Sequence, residues 1–192
     1  MNVANLITLS RFPMLFVIVA LLYLPWRFTA SLAFVFFVMT AMTDWLDGYI
    51  ARRWKMVSNF GKLMDALLDK ILSMGLFISL LSLDVLPKWT TFLVIIILAR
   101  EFFVTGLRLV AASRGDVLEA DKRGKQKTVT QILAIGALLL AFALKNDWAN
   151  LLSPKIIAFV YDVGVIIFCV ATYWTISSGT YYFLKYKYLL RD

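Results

Sequence analysis

The sequence predicts an all-α integral membrane protein with six transmembrane helices and both termini on the cytoplasmic side. Of its 192 residues, 61% are hydrophobic and 15% aromatic, and the mean hydropathy of +0.80 is far above that of a soluble domain. The apolar residues form six long stretches, and most cations lie on one side of them. No internal repeat and no separate soluble domain is visible, so we expect residues 1–192 to form a single membrane domain.

Each apolar stretch is long enough to cross a bilayer, which takes about 20 residues of helix. We expect the spans near 6–26, 29–52, 62–83, 89–112, 126–146 and 155–184. Polar breaks at 25–27, 84–88 and 146–154 lie between the first and second, the third and fourth, and the fifth and sixth stretches. These breaks contain few cations. No convincing small-residue cleavage site follows the first stretch, so we expect a retained helix rather than a signal peptide.

The cations predict the orientation of the spans. The side opposite the three breaks collects Arg11, Arg52, Arg53, Lys55, Lys62, Arg114, Lys122, Arg123, Lys125, Lys127, Lys185, Lys187 and Arg191. The positive-inside rule places this side in the cytoplasm, and six spans return the chain to its starting side. A net charge of +8 also fits nucleic acid, but cations beside spans set topology and attract anionic lipids. We therefore expect a multi-pass protein of the cell inner membrane that contacts membrane lipids and no nucleic acid.

The residue types absent from the chain narrow its chemistry. There is no histidine, which removes the commonest general base and the usual zinc ligands. The single cysteine, Cys169, lies in an apolar run, so neither a disulfide framework nor a thiolate metal site is expected. Acid–base chemistry is left to carboxylates, a lysine or a tyrosine.

Four aspartates lie around the polar segment that joins the second and third apolar stretches. Ionised side chains so close to a membrane are costly. Asp44 and Asp47 end one apolar run, and Asp65 and Asp69 open the next. Residues three or four apart share a helix face, and the short segment between the runs lets the two acidic faces meet. Converging carboxylates repel unless cations lie between them, and Mg²⁺ or Mn²⁺ prefers oxygen ligands. We interpret the segment as a two-metal site facing the cytoplasm, the alternative being solvated charges at helix ends.

Arg100, Glu101 and Arg108 lie inside the fourth apolar run, where ionised side chains are expensive. Their spacing puts them roughly on one helix face, and Lys125 and Lys127 follow at the start of the fifth run. Planar arginine donors together with lysines suit an anionic phosphate. Pairing of Glu101 with an arginine is the structural alternative.

The spacing of the acidic segment carries a resemblance to a known family. Asp44-x-x-Asp47-Gly48-x-x-Ala51-Arg52, eight further residues, and Gly61-x-x-x-Asp65-x-x-x-Asp69 resemble the signature of the CDP-alcohol phosphotransferases without departure. The opening Asn5-x-x-Thr8-x-x-Arg11 and the stretches 100–108 and 124–131 are similar to the members that make phosphatidylglycerol phosphate. By itself, the polar stripe at Asn5, Thr8 and Arg11 also fits an interfacial anchor.

The resemblance implies a role for each of these residues. Asp44, Asp47 and Asp65 would hold one divalent cation, Mg²⁺ or Mn²⁺, and Asp44, Asp65 and Asp69 a second. Asp69 would also be the general base. The residues implied in binding the CDP-linked donor are Gly48, Ala51, Arg52, Gly61 and Asn5. Those implied in binding the acceptor phosphate are Thr8, Arg100, Arg108, Lys125 and Lys127.

The implied reaction moves a phosphatidyl group from CDP-diacylglycerol to glycerol 3-phosphate and releases CMP. Two alternatives stay open on the residues: another acceptor, such as inositol phosphate, and a divalent-cation transporter that uses the aspartates for permeation. A transporter predicts acids near the bilayer midplane, whereas these lie toward the cytoplasmic face. The family is often dimeric, and the aromatic-rich faces are compatible with a homodimer.

Overall fold

The fold is a bundle of long α-helices. The computed structural model describes the backbone of residues 3–54, 59–113 and 122–187, and the side chains of 9–43, 64, 67–113 and 124–187. Within that backbone there is no β-strand. The helices are α1 Val3–Tyr23, α2 Thr29–Trp54, α3 Asn59–Ser82, α4 Thr91–Ser113, α5 Lys122–Asp147 and α6 Pro154–Tyr186, with one 3₁₀ turn, Lys88–Thr90, before α4.

The six predicted apolar stretches correspond one to one to these helices, so the all-α prediction is confirmed. Two described segments, Gly124–Asp147 and Pro154–Tyr186, have the length and hydropathy of membrane spans. Shorter apolar stretches occur in α1 and α2, at Leu9–Tyr23 and Thr29–Thr43. The crossing of a membrane by all six helices, and the side on which the termini lie, stay predictions.

The helices form a closed ring in the order α1, α2, α5, α6, α4, α3 and back to α1, and α3 also touches α5 across it. Apolar side chains of every helix meet inside, with Ile18, Leu76, Phe77, Leu138 and Phe168 fully buried. In the part of the chain that the structure describes, the centre of the ring is therefore a packed apolar core.

Two short connections are closed by specific contacts at one end of the bundle. Asp147, at the end of α5, accepts hydrogen bonds from the backbone N–H groups of Phe28 and Ser31 at the start of α2. At the end of α3, Asp84 has the left-handed φ of 52°, and Val85 N–H bonds back to the Leu80 carbonyl. Tight turns of this kind make α1 and α2, α3 and α4, and α5 and α6 antiparallel neighbours.

Candidate active site

Buried polar side chains gather in the half of the bundle opposite these tight turns. Because the helices alternate in direction, this half holds the starts of α1, α3 and α5 and the ends of α2, α4 and α6. The buried polar residues described there are Arg11, Thr40, Glu101, Lys127, Gln131, Thr172, Thr175 and Ser178. Burying polar groups costs free energy unless they are paired, so a concentration of them in one half marks that half as a candidate functional site.

The predicted metal ligands lie on two helices of this half. Asp44 and Asp47 lie near the end of α2, and Asp65 and Asp69 in the first half of α3. The side chains of Asp44, Asp47 and Asp65 are outside the described residues, which contain no cluster of three acidic, histidine or cysteine side chains. The two-metal site therefore stays a prediction.

Asp69 is the predicted ligand whose side chain the structure describes. Its Oδ1 accepts a hydrogen bond of 2.8 Å from Nη1 of Arg11, whose side chain is 3% exposed. The Asp69 side chain is 39% exposed. The carboxylate is thus held by α1 yet accessible, as a ligand or base must be. The sequence prediction contained Arg11 as a cation of the first helix and as the last residue of the Asn5-x-x-Thr8-x-x-Arg11 motif, but it missed the partner across 58 residues.

Beside Asp69 is a small cavity of about 40 Å³, enough for a few water molecules. Its polar lining comes from Arg11, Asp69, Thr40, Ser73, Thr128 and Gln131. A larger, open apolar groove of about 500 Å³ runs along α2, α5 and α6, and Phe37, Ala41 and Ile132 line both spaces. A polar pocket at a carboxylate therefore lies next to a surface suited to hydrocarbon.

Glu101 is the buried acid of a cationic neighbourhood. Its side chain is 4% exposed, and Oε1 accepts hydrogen bonds from Nζ of Lys127 and, at 3.2 Å, from Nη1 of Arg100. Lys70 donates a hydrogen bond to Oγ1 of Thr105, which lies one helical turn after Glu101 on α4. The structural alternative for Glu101 is therefore confirmed. Lys127 is occupied by this ion pair, and its contact with a phosphate stays a prediction.

The two arginines of α4 both reach α6. Nη2 of Arg100 donates to Ser178 Oγ at 2.9 Å, and Nη2 of Arg108 donates to Tyr182 Oη at 3.0 Å. Arg108 is exposed, whereas the Arg100 side chain is 10% exposed. The sequence prediction that these arginines share a face is confirmed. Ser178 and Tyr182 were missed, and the only signal for them was the polar interruption Ser177-Ser178-Gly179-Thr180 of an apolar run.

The remaining predicted residues are placed by their helices alone. Lys125 is exposed in the first turn of α5. The side chains of the others lie outside the described residues: Asn5 and Thr8 on α1, Gly48, Ala51 and Arg52 on α2, and Gly61 on α3. Their binding roles stay predictions.

Comparison with known proteins identifies the class to which this arrangement belongs. A family model described as CDP-alcohol phosphatidyltransferase matches residues 1–177. The chain belongs to the CDP-alcohol phosphatidyltransferase family. The resemblance inferred from the aspartate spacing is therefore confirmed.

Three individual relatives of the chain carry the same name. A Bacillus subtilis (strain 168) protein named CDP-diacylglycerol–glycerol-3-phosphate 3-phosphatidyltransferase is 37% identical over 197 residues, covering 96% of this chain and 94% of the relative. A Rickettsia typhi protein of the same name is 33% identical over 186 residues, covering 97% of each. A third so named, from Mycoplasma pneumoniae, is 34% identical over 154 residues, covering 80% of this chain and 66% of its own length.

Proposed function

We propose that this protein transfers the phosphatidyl group of CDP-diacylglycerol to glycerol 3-phosphate, giving phosphatidylglycerol phosphate and CMP. The name shared by relatives that match nearly the whole chain supports this activity. The structural observation that supports it most is the pair Arg100 and Arg108, both held against α6 in the half of the bundle that bears the aspartates. An acceptor with its own phosphate accounts for two arginines in an apolar helix.

A divalent-cation site fits the acidic residues of this chain. Asp44, Asp47, Asp65 and Asp69 offer carboxylate oxygens, which Mg²⁺ and Mn²⁺ prefer, and the Asp69 carboxylate is accessible. When bound, two such ions would neutralise the donor pyrophosphate and stabilise the leaving CMP. The same pairing of metal ligands with arginines argues against a cation transporter, which has no use for an arginine pocket.

Asp69 serves as the general base in this proposal. Its carboxylate takes the proton of the 1-hydroxyl of glycerol 3-phosphate, and that oxygen attacks the diacylglycerol-linked phosphorus. The bond from this phosphorus to the bridging oxygen breaks, so CMP leaves with the electron pair. The hydrogen bond from Arg11 fixes the orientation of the carboxylate during this step.

The donor lies across the polar cavity and the apolar groove. Arg52 pairs with a donor phosphate, and Gly48 and Gly61 let the nucleotide approach the helix backbones. Asn5 and Ala51 complete the nucleotide side. An acyl chain lies in the groove along α2, α5 and α6, which is lined by Phe34, Val38, Leu133 and Leu140 among others. The acceptor lies on the other side of Asp69, with Thr8, Arg100, Arg108, Lys125 and Lys127 around its phosphate.

The proposal places the protein in the cell inner membrane with its active half in the cytoplasm. All six helices span, so the cations of that half follow the positive-inside rule. CDP-diacylglycerol then arrives by lateral diffusion in the bilayer, and glycerol 3-phosphate arrives from water. A homodimer is compatible with the exposed aromatic side chains of α4 and α6, such as Phe92, Phe102 and Phe159.

The test is an acceptor-dependent assay of CMP release. Purified protein in detergent receives CDP-diacylglycerol, Mg²⁺ or Mn²⁺, and either glycerol 3-phosphate, inositol phosphate or serine. We expect release with glycerol 3-phosphate, phosphatidylglycerol phosphate as the lipid product, and loss of release on chelation. Asp69→Asn should lower kcat by about 10²–10⁴-fold, as expected for removal of a general base.

Asp162→Asn is the matched control, because Asp162 is an exposed carboxylate of α6 in the other half of the bundle. It should leave kcat within about twofold. Release only with inositol phosphate or serine would overturn the proposed acceptor. No release with any acceptor, together with metal binding that depends on the aspartates, would favour the transporter.

A further inference from the structure

Tyr182 of α6 contacts both arginines of the proposed acceptor site. The guanidinium carbon of Arg100 lies 6.0 Å and that of Arg108 5.5 Å from the centre of the Tyr182 ring. The Tyr182 hydroxyl also accepts the hydrogen bond from Arg108, and the tyrosine is 1% exposed. One buried ring thus fixes two cations that repel each other, and the attraction of each to the ring face offsets part of that repulsion.

Gly179 and Ser178 fix the course of the Arg100 side chain. A Cβ added at Gly179 would lie 2.8 Å from Cγ of Arg100, so the arginine stem crosses α6 where a side chain is missing. The Ser178 hydroxyl donates to the Thr175 carbonyl at 3.0 Å, which leaves its oxygen aimed at Arg100 as an acceptor. Both contacts involve the Arg100 side chain itself: the Ser178 hydroxyl binds its guanidinium, and Gly179 leaves room for its stem.

The arginines keep donor capacity after these contacts. Nε of Arg100 is buried with no hydrogen-bond partner among the described residues. Arg108 is exposed, and its bond to Tyr182 uses one of its several N–H groups. Buried donors are usually paired, so these unused N–H groups leave the arginines able to bind a further acceptor.

The charges around the pair are not balanced by the acid beside them. Glu101 forms ion pairs with both Arg100 and Lys127. Lys70 adds a further positive charge that interacts electrostatically with both arginines. Arg108 donates a side-chain hydrogen bond to Tyr182 rather than to Glu101. Among the residues that the structure describes, the surplus is positive, so the ligand expected here is an anion.

We propose that Ser178, Gly179 and Tyr182, hereafter the α6 support, position Arg100 and Arg108 for the acceptor phosphate and thereby set the preference for a phosphorylated alcohol. This inference rests on the proposed function. The three residues do not touch the substrate; they act through the arginines. The competing explanation is that they only pack α6 against α4.

The first test removes one atom from the α6 support. Tyr182→Phe keeps the ring and loses the hydroxyl that holds Arg108. We expect the KM for glycerol 3-phosphate to rise about 5- to 20-fold, in line with loss of a hydrogen bond to a charged group. The kcat and the KM for CDP-diacylglycerol should stay within about twofold, because the donor lies elsewhere.

Tyr173→Phe is the matched control, since Tyr173 lies on the same helix, is 65% exposed and has no ring contact with either arginine. It should leave all three constants unchanged. In an Arg108→Met background, Tyr182→Phe should add less than twofold, because either change alone already removes the hydrogen bond between the two residues. A full additional effect there would show that Tyr182 acts independently of Arg108 and would overturn the proposal.

The second test fills the space beside Arg100. Gly179→Ala should raise the KM for glycerol 3-phosphate by about tenfold or more, because the new methyl group displaces the arginine stem. Gly164→Ala is its control on the same helix, where a Cβ would lie 3.0 Å from a Leu138 methyl group instead. Both changes should lower the unfolding temperature, and Gly179→Ala alone should change the acceptor KM.

The outcomes separate this inference from the proposed function. Wild-type protein that fails to release CMP with glycerol 3-phosphate would overturn both. Active wild type with unchanged acceptor KM in Tyr182→Phe and Gly179→Ala would overturn the α6 support alone. If Tyr182→Phe does not fold, Ser178→Ala takes its place, with a smaller expected rise in the same KM, and an unchanged KM there also overturns the proposal.

Discussion

Glu101 shows how individual charges are balanced inside the bundle. It is a buried carboxylate between Lys127 on α5 and Arg100 beside it on α4. A buried ion pair adds little net stability over apolar packing. Removing one partner, however, leaves the other as an unpaired charge in the protein interior, which solvates it poorly. Glu101 therefore holds two cations in place at little net gain, which is the pattern expected where position matters more than stability.

Glu101→Gln should destabilise the protein strongly. Lys127 is 7% exposed and would lose its counter-ion, so we expect the free energy of unfolding to fall by about 3–5 kcal/mol. Thermal unfolding in detergent, followed by tryptophan fluorescence, measures this. The double variant Glu101→Gln/Lys127→Met should recover most of the loss, because it removes the orphaned charge as well.

The control for this prediction is Asp162→Asn, an exposed carboxylate whose loss should cost less than about 0.5 kcal/mol. Equal effects of Glu101→Gln and Asp162→Asn would contradict the buried ion pair. So would a double variant that is less stable than Glu101→Gln.

At the level of single residues, charged candidates for the site are easier to recognise in the sequence than neutral ones. Arg100, Arg108 and the aspartates are conspicuous because ionised groups in apolar runs are expensive. Ser178, Gly179 and Tyr182 are not, since small residues and tyrosines are ordinary in membrane helices. Their contacts with α4 also join residues 74 and 78 positions apart, which no local pattern encodes.

Among the helices, α5 fixes the start of α2 from a distance. One oxygen of the Asp147 carboxylate accepts from the Phe28 N–H at 3.1 Å, and the other from the Ser31 N–H and hydroxyl at 2.7 and 2.6 Å. Trp148 adds a bond from its indole N–H to Ser31 Oγ. An acid at the end of α5 thus replaces the usual capping residue and ties that end to the start of α2.

Asp147→Ala should therefore destabilise the protein without changing its substrate affinities. We expect a loss of about 0.5–2 kcal/mol, the usual effect of deleting an N-terminal cap. The comparison is Asn150→Ala, an exposed change in the same connection that should be nearly neutral. A change in the KM for glycerol 3-phosphate in Asp147→Ala would contradict the separation of this end from the proposed site.

Asp84→Gly should act in the opposite direction. Asp84 has a φ of 52° at the end of α3, a conformation that costs a side-chain-bearing residue about 1–2 kcal/mol and glycine almost nothing. We expect a rise in unfolding temperature, measured as above. A fall would mean that the Asp84 carboxylate itself stabilises the turn.

Helix bounds were predictable because proline and polar residues interrupt the apolar runs at 25–27, 84–88 and 146–154. The observed helices begin and end within a few residues of the prediction, except that α5 starts at Lys122, before the apolar run. Cations at that start do not prevent helix formation, since lysine and arginine have high helix propensity. The ring order was not predictable, because hydropathy does not specify which helices pack together.

On the scale of the molecule, the bundle has two chemically different ends. One end is closed by Asp147, Asp84 and apolar turns, and the other contains the arginines, lysines and aspartates. If both ends lie in water on opposite sides of a bilayer, impermeant reagents reach only one of them from outside the cell.

Cysteine labelling tests this arrangement in intact cells. In a Cys169→Ser background, Asn150→Cys should react with an impermeant maleimide, and Gln126→Cys should react only after the membrane is opened. Both positions are exposed and neither belongs to the proposed site. Labelling of both from outside, or of Gln126→Cys alone, would contradict six crossings with cytoplasmic termini.

Recognition of the acceptor phosphate is measured by comparing glycerol 3-phosphate with glycerol as acceptor for the purified protein. The two molecules differ only by the phosphate that Arg100 and Arg108 are proposed to bind. We expect kcat/KM for CMP release to be at least about 100-fold higher with glycerol 3-phosphate, as for two charge-assisted hydrogen-bond donors. Arg108→Ala should reduce that ratio mainly through the KM for glycerol 3-phosphate. Equal use of both acceptors, or a ratio unchanged in Arg108→Ala, would contradict the claim that these arginines recognise the acceptor.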